Sequence, residues 1–364
     1  MSKEWELLAG RLEGCLMGVS VGVDGLEPWK EKAFQGVAQE VFGWQCELCD
    51  PYRSFCERRG VTPSSVSDWR EIPAVPTTAF KYFDLVSSPY TSISRKPDAA
   101  FYTSGTTLGS ERRGCHFVPR ESLYRAAFHE PFRQALLPDV NKIRVISLIP
   151  SPVAASHSSL SWMVGMAVDA FADEVDWLIQ ANGEWARDAF DVLRAASEEE
   201  APVLVLGTAL AFLHLKEAGD EPSVTLPANS RAMVTGGFKG VRRAIGRSEL
   251  YSTITDCTGI DRNRIVNEYG MTELLSQMYE PVLTEGIKAA RRLAAPPWLS
   301  VRVLDPATLE DKPEGEQGII SFFDLANLGS VSHVLTEDLG ALEDGRLTVF
   351  CLLYTSDAAD EGLG

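Results

Sequence analysis

The chain predicts an α/β protein, with mixed sheets flanked by helices and a small antiparallel sub-sheet after them. Apolar runs of strand length alternate with helical patterns through the middle of the sequence. Later strand-like runs follow one another with little helix between them. The 364 residues are 45% hydrophobic and 23% charged, an ordinary globular composition with enough apolar material for a large core.

The elements follow in order. Phe34, Val37, Val41, Trp44 and Leu48 recur at spacings of three and four, which is one face of an amphipathic helix. Pro51 ends that helix and Gly60 ends a second, short one. Pro63, Pro73, Pro76, Pro89 and Pro97 make residues 61–100 loop-rich. Residues 142–149 (KIRVISLI) read as a buried strand, 184–196 as a helix, 203–206 as a strand and 208–218 as a helix. Another strand is expected at 231–235 (RAMVT), then a helix at 238–250 and a short strand at 264–267. Residues 298–304, 318–323 and 347–350 are the later strands. No repeat or low-complexity tract interrupts the pattern.

Charge and termini narrow the function. A net charge of −17 argues against nucleic acid, whose binders concentrate lysine and arginine. It leaves room for a local pocket that takes a nucleotide. Met1-Ser2-Lys3-Glu4-Trp5-Glu6 lacks a cationic region leading into an apolar one, and no run is long enough to span a bilayer. Seven cysteines at irregular spacing suit a reducing cytoplasm, where we expect the chain to work.

Three segments can carry chemistry. In FYTSGTTLGSERRG, Phe101 and Tyr102 end a strand and Thr103-Ser104-Gly105-Thr106-Thr107 follows. Gly105 lets successive N–H groups converge on an anion, hydroxyls add donors, and Arg112 and Arg113 add charge. Phosphate is the natural guest, although the Gly-Lys-Ser/Thr of a Walker loop is absent. Taken alone, such clusters are more often plain solvent loops. The second segment is NEYGMTE, Asn267 to Glu273. Its tyrosine offers a face to a base, its threonine a hydroxyl to a phosphate, and its glutamate a ligand to Mg²⁺. A turn with a core tyrosine is the plain alternative. The third segment is Thr336-Glu337-Asp338-Leu339-Gly340, where a carboxylate can accept both hydroxyls of a ribose. Gly236-Gly237, after RAMVT, would let backbone approach a flat ligand.

In this order and spacing, TSGTT, Thr-Gly-Gly, YGMTE and TEDLG resemble the adenylate-forming superfamily. Residues 69–81, 151–160 and 236–240 add a resemblance to its LuxE-type acyl-protein synthetases, relatives of phenylacetate-CoA ligases. The resemblance runs from about residue 35 to 350. It implies the large lobe of an adenylate-forming enzyme. Residues 1–95 would be its helical, loop-rich N-terminal part and 96–350 its adenylating core. It also implies roles. Thr103, Ser104, Gly105, Thr106 and Thr107 would cradle ATP phosphates. Gly236 and Gly237 would line the adenine, and Tyr269 would stack on it beside Gly270 and Met271. Thr272 would touch the α-phosphate, Glu273 would bind Mg²⁺, and Asp338 would hold the ribose. Thr272 and Glu273 would thus be the catalytic pair. His157, in SPVAASHSSL, would lie near the acyl pocket, although a loop histidine satisfied by backbone is an equal reading.

The implied reaction joins a carboxylic acid, of fatty-acid type, to AMP and then to a thiol. The thiol is a protein cysteine or CoA, and a partner acyl reductase or carrier protein would share the product. The alternatives are an acyl- or aryl-CoA ligase of a biosynthetic cluster and a nucleotide-binding partner subunit without turnover. Leu108 keeps the last open, because it stands where the family's loop has a glycine. Arg113-Gly114 stands near the usual Lys-Gly, and arginine is not geometrically equivalent to lysine. Residues 351–364 read like a translated sequencing adapter, so a small C-terminal lobe is expected to be missing. Cys46, Cys49 and Cys56 lack the four-ligand set of a zinc site and are expected to be structural.

Overall fold

A computed structural model of the protein describes residues 2–18, 31–89, 99–103, 113–218, 224–236, 246–286 and 291–350. Residues 351–364, expected to be a non-native tail, lie outside the described residues. Helices α1 (Ser2–Leu16), α2 (Glu31–Leu48) and α3 (Asp50–Glu57) come first, then a short strand β1 (Val75–Pro76). Strands β2 (Ala99–Tyr102) and β3 (Cys115–Val118) form a hairpin, followed by α4 (Glu121–Leu136). Next come β4 (Ile143–Leu148), α5 (Ser159–Phe171), β5 (Ala172–Trp177), α6 (Ala189–Ser197) and β6 (Val203–Thr208). After them run α7 (Ala209–Ala218), β7 (Arg231–Thr235), α8 (Arg247–Thr258), β8 (Ile265–Tyr269), β9 (Met278–Tyr279) and α9 (Val282–Glu285). The chain closes with β10 (Leu299–Leu304), β11 (Gly318–Asp324), β12 (His333–Glu343) and β13 (Arg346–Phe350).

A six-stranded sheet in the order β5-β4-β6-β7-β8-β9 is parallel except for β9, which runs antiparallel at the edge. Its central strands β4, β6 and β7 are buried at nearly every position because both faces are covered. In β6, Leu204 and Leu206 join the core that holds α4 and α5 residues, while Val203 and Val205 join the core of α6, α7 and α8. The first core continues into α1, α2 and the second sheet, where Trp5, Phe42, Phe322 and Val334 are all buried.

The second sheet runs β1-β12-β11-β10, with β13 also on β12. Its pairs are antiparallel except β1 with β12. The expected antiparallel sub-sheet is therefore present. The strand β12 is irregular. Ser321 faces Leu335, yet Ile319 faces Leu339, so β12 carries extra residues around Thr336 to Asp338. Such a bulge re-aims a side chain. The Thr336 hydroxyl fills it, donating to the Ile320 carbonyl at 2.8 Å and accepting from the Asp338 N–H at 3.1 Å.

Several expected boundaries move. The helix expected over 184–196 starts at Ala189, because Trp185 is used in an antiparallel bridge to Ile179. The helix expected over 238–250 is α8, which starts after Gly246; residues 237–245 lie outside the described residues. Pro51 stands in the first turn of α3, where its missing N–H costs nothing. Strand β5 (ADEVDW) was too acidic to read as a strand. Arg144 makes it one, by pairing with Asp176 at 2.8 Å and Glu174 at 3.8 Å.

Gly340 follows the bulge. A Cβ there would come 2.7 Å from the Thr348 carbonyl and 2.8 Å from Ile320 Cδ1. Gly340→Ala is expected to cost about 1–3 kcal/mol of stability by overpacking, read as a lowered urea midpoint with unchanged slope. An unchanged midpoint would show that β12 can relax at the bulge.

Candidate active site

The parallel strands β4, β6, β7 and β8 end on one edge, the usual place for a ligand crevice in an α/β sheet. Tyr269 ends β8 there, and Gly236 follows the end of β7 with φ of 75°. The loop after β4 carries His157, and the hairpin β2–β3 meets it, since the Tyr102 N–H donates to the His157 carbonyl at 2.9 Å.

The tyrosine and the aspartate that the sequence singled out are joined. Tyr269 Oη donates to Asp338 Oδ2 at 2.8 Å across 69 residues. Burial, and then the facing Asp338 carboxylate, hold the Tyr269 phenol well above its ordinary pKa, so it remains a donor. Its ring leans on Phe322, with centroids 5.7 Å apart at 35°. The bulge in β12 makes this pairing possible by turning Asp338 toward β8.

Beyond Tyr269 the chain turns through Gly270, Met271, Thr272 and Glu273 before β9. This loop is pinned by its backbone. His116 Nδ1 donates to the Thr272 carbonyl at 2.7 Å. Burial pushes the His116 pKa down to about 4, so the ring is neutral with its proton on the nitrogen facing that carbonyl. Asn327 Nδ2 donates to the Glu273 carbonyl at 2.8 Å. The Asp324 carboxylate accepts from the N–H groups of Leu275 and Ser276 at 3.0 and 2.9 Å, and from the Ser276 hydroxyl at 2.8 Å. The Thr272 hydroxyl stands 3.5 Å from that of Ser159, which opens α5. The Glu273 side chain is buried.

His116 lies on β3, opposite Phe101, so the hairpin that carries the hydroxyl loop is attached to the Thr272 turn. At its base, the Thr103 N–H donates to the Gly114 carbonyl, and the Gly114 N–H donates to the Thr103 hydroxyl, both at 2.9 Å. Arg113 donates to the carbonyls of Thr103 and Tyr102 at 2.6 and 3.2 Å. Ser104, Gly105, Thr106, Thr107, Leu108, Arg112 and Gly237 lie outside the described residues. His157 is exposed. Its Nδ1 lies 3.3 Å from the Ala100 carbonyl and its ring 5.0 Å from that of Tyr102, so its contacts are with the hairpin.

Glu268 went unnoticed in the sequence. It is buried beside Tyr269 and accepts a hydrogen bond from the Thr235 hydroxyl, which joins β7 to β8. Burial raises its pKa to about 7, against the opposing effect of that bond. It also leaves no room at Gly270, where a Cβ would lie 2.6 Å from Glu268 Oε1. A charged residue amid β-type apolar positions was the available signal. Asn327 and Asp324 carried none, since their partners are distant backbone groups.

Solved structures share the fold. An open conformation of 2-hydroxyisobutyryl-CoA ligase, in complex with 2-HIB-AMP and CoA, superposes with a TM-score of 0.64 at 15% identity over 88% of this chain and 73% of that one. The same ligase in its thioesterification state gives 0.65 at 16% identity, over 88% and 66%. ATP-bound MatB from Rhodopseudomonas palustris gives 0.50 at 18% identity, over 72% and 50%. The fold is that of the large domain of adenylate-forming ligases. Within that class the family model for "Acyl-protein synthetase, LuxE" matches residues 27–350, and the chain belongs to that family. Long-chain-fatty-acid–luciferin-component ligases are its relatives. The Aliivibrio fischeri protein is 21% identical over 316 residues, covering 85% of this chain and 79% of that protein. The Vibrio harveyi protein is 22% identical over 314 residues, covering 81% and 75%.

The raised Glu268 pKa sets a pH dependence. Between the ordinary carboxyl value of 4.5 and about 7, the folded chain keeps a proton that the unfolded chain has lost. This group's contribution to stability is therefore full below that window and declines as pH rises through it. Glu268→Gln should gain stability relative to the unsubstituted chain between about pH 5 and pH 8, by about 1–3 kcal/mol. Parallel urea curves for the two proteins, with no pH-dependent gap between them, would contradict this.

Proposed function

We propose that the chain activates a long-chain fatty acid with ATP and passes the acyl group to a thiol. Membership of the acyl-protein synthetase family supports the reaction class. The observation that carries the site is the Tyr269–Asp338 hydrogen bond, which sets two segments of the predicted nucleotide crevice side by side at the strand ends. In this reading Tyr269 stacks on adenine while Phe322 backs it. Asp338 spends one oxygen on Tyr269 and offers the other to a ribose hydroxyl. Gly236 and Gly237 line the base, Met271 flanks it beside Gly270, and Thr103 with residues 104–107 holds the phosphates.

The fatty-acid carboxylate attacks the α-phosphorus. A C–O–P bond forms, the α–β bridging bond breaks, and pyrophosphate leaves. A thiolate then attacks the acyl carbon, forming a thioester and releasing AMP. Both partners in the first step are anionic. The chain's contribution is to hold them in line with fixed donors in a water-poor crevice, not to supply a nucleophile. The Thr272 hydroxyl is assigned to the α-phosphate, and the His116 bond to its carbonyl holds that hydroxyl in place.

Mg²⁺ fits the donor set. Glu273 is a buried carboxylate that directly follows Thr272 in the chain. Mg²⁺ characteristically takes one or two carboxylates and completes its shell with phosphate oxygens and water. When bound it would neutralise phosphate charge. The acid would enter from the side where the loop after β4 and His157 lie, and the acceptor would be a protein cysteine or CoA, with an acyl reductase or carrier protein as the partner. Among the described residues no helix is long and apolar enough to cross a membrane.

Exchange of labelled pyrophosphate into ATP tests the first step. Exchange dependent on long-chain fatty acids is expected. Exchange with aromatic acids alone would favour a CoA-ligase relative, and ATP binding with no exchange would leave a nucleotide-binding subunit. Asp338→Ala should weaken ATP binding by about ten- to a hundredfold through loss of charge-assisted bonds. Equal affinity for ATP in this variant would remove Asp338 from the site.

A further inference from the structure

We infer that Asn327, itself set by Gln45 of α2, is the positioning residue that fixes where Glu273 presents its carboxylate. This rests on the metal-side reading of Glu273 given above and extends it to residues far away in sequence.

Asn327 is fully buried. Its Nδ2 donates to the Glu273 carbonyl at 2.8 Å and to the Val331 carbonyl at 3.2 Å. Among the described residues its Oδ1 has no hydrogen-bond partner. A buried amide oxygen without a partner is costly, so this side chain is a poor filler for a core. What offsets the cost is what its NH₂ holds. The backbone carbonyl of Asn327 accepts from Gln45 Nε2 at 3.0 Å, across 282 residues of chain. Gln45 is also buried, on a helix face otherwise lined by Phe34, Ala38, Val41 and Phe42. It brackets Ser332 as well, donating to its hydroxyl at 2.9 Å and accepting from its N–H at 3.2 Å. One glutamine thus ties both ends of the turn from 327 to 332 to the N-terminal helices.

The same turn grips the site loop twice. Asn327 takes the carbonyl of residue 273, and Asp324, at the end of β11, takes the N–H groups of residues 275 and 276. With a carbonyl and two following N–H groups held, the backbone between them has little freedom. The direction in which the Glu273 side chain leaves the main chain is then set. Partners that orient a metal ligand in this way commonly control about ten- to a hundredfold in affinity.

The test is Mn²⁺ affinity, read by electron paramagnetic resonance with the α,β-methylene analogue of ATP, which cannot react. Asn327→Ala should weaken Mn²⁺ binding about tenfold, with affinity for the analogue in the absence of metal unchanged. In turnover, the same variant should raise the Mg²⁺ concentration for half-maximal pyrophosphate exchange. Should Asn327→Ala fail to fold, Gln45→Met keeps the asparagine but releases its backbone, and should shift Mn²⁺ affinity in the same direction. Folded Asn327→Ala or Gln45→Met with wild-type Mn²⁺ affinity, while Glu273→Gln loses it, overturns the inference. Wild-type affinity in Glu273→Gln removes the metal role of Glu273 itself, and this inference with it.

Discussion

A single buried carboxylate holds the two sheets in register at the site. Asp324 ends β11 of the antiparallel sheet, and its oxygens accept from Leu275, Ser276 and Ala326 N–H groups and from the Ser276 hydroxyl. Trp298, just before β10, donates to the same hydroxyl at 3.0 Å. Burial pushes the Asp324 pKa up while these bonds pull it down. A carboxylate in such a seam is tolerable only because nearly all its hydrogen-bonding capacity is used. Remove it, and among the described residues the loop after Tyr269 keeps only the Asn327 and Tyr269 ties to the segment that carries Asp338.

From this anchor the rest follows. The parallel sheet supplies a rigid platform because helices bury both its faces, and its strand ends converge where Gly236 and Tyr269 stand. The antiparallel sheet contributes Phe322 and Asp338 to that edge, the latter through a defect in its own pairing. The hairpin β2–β3 is the third part, hooked to the Thr272 carbonyl by His116. His116, Asn327 and Asp324 hold the Thr272 turn by its backbone groups, which leaves the Thr272 and Glu273 side chains to a ligand. That division suits a reaction in which catalysis comes from placing charges and donors before the reactants arrive.

The motifs read in the sequence divide by how local their meaning is. YGMTE and TEDLG carry residues that meet in space, and their types pointed to nucleotide chemistry. What held them was not legible. His116 looked ordinary, although it orients the Thr272 turn. Glu268 sat inside a quoted motif and still escaped, because its significance is burial beside Thr235 and Gly270. The strand β5 escaped because propensity counts Asp and Glu against a strand, while an arginine on β4 neutralises them.

The sequence by itself determined the layers. Continuous apolar runs such as VLVL at 203–206 demand cover on both faces, and the helical patterns between them provide it. It also determined which side chains could serve a nucleotide. Only the tertiary structure decided that Tyr269 meets Asp338 and that Gln45 reaches Asn327. Periodicity reports which face of an element is buried. The register of one element against another, and a bulge that shifts it, arise from packing between segments far apart in the chain, and no local pattern encodes them.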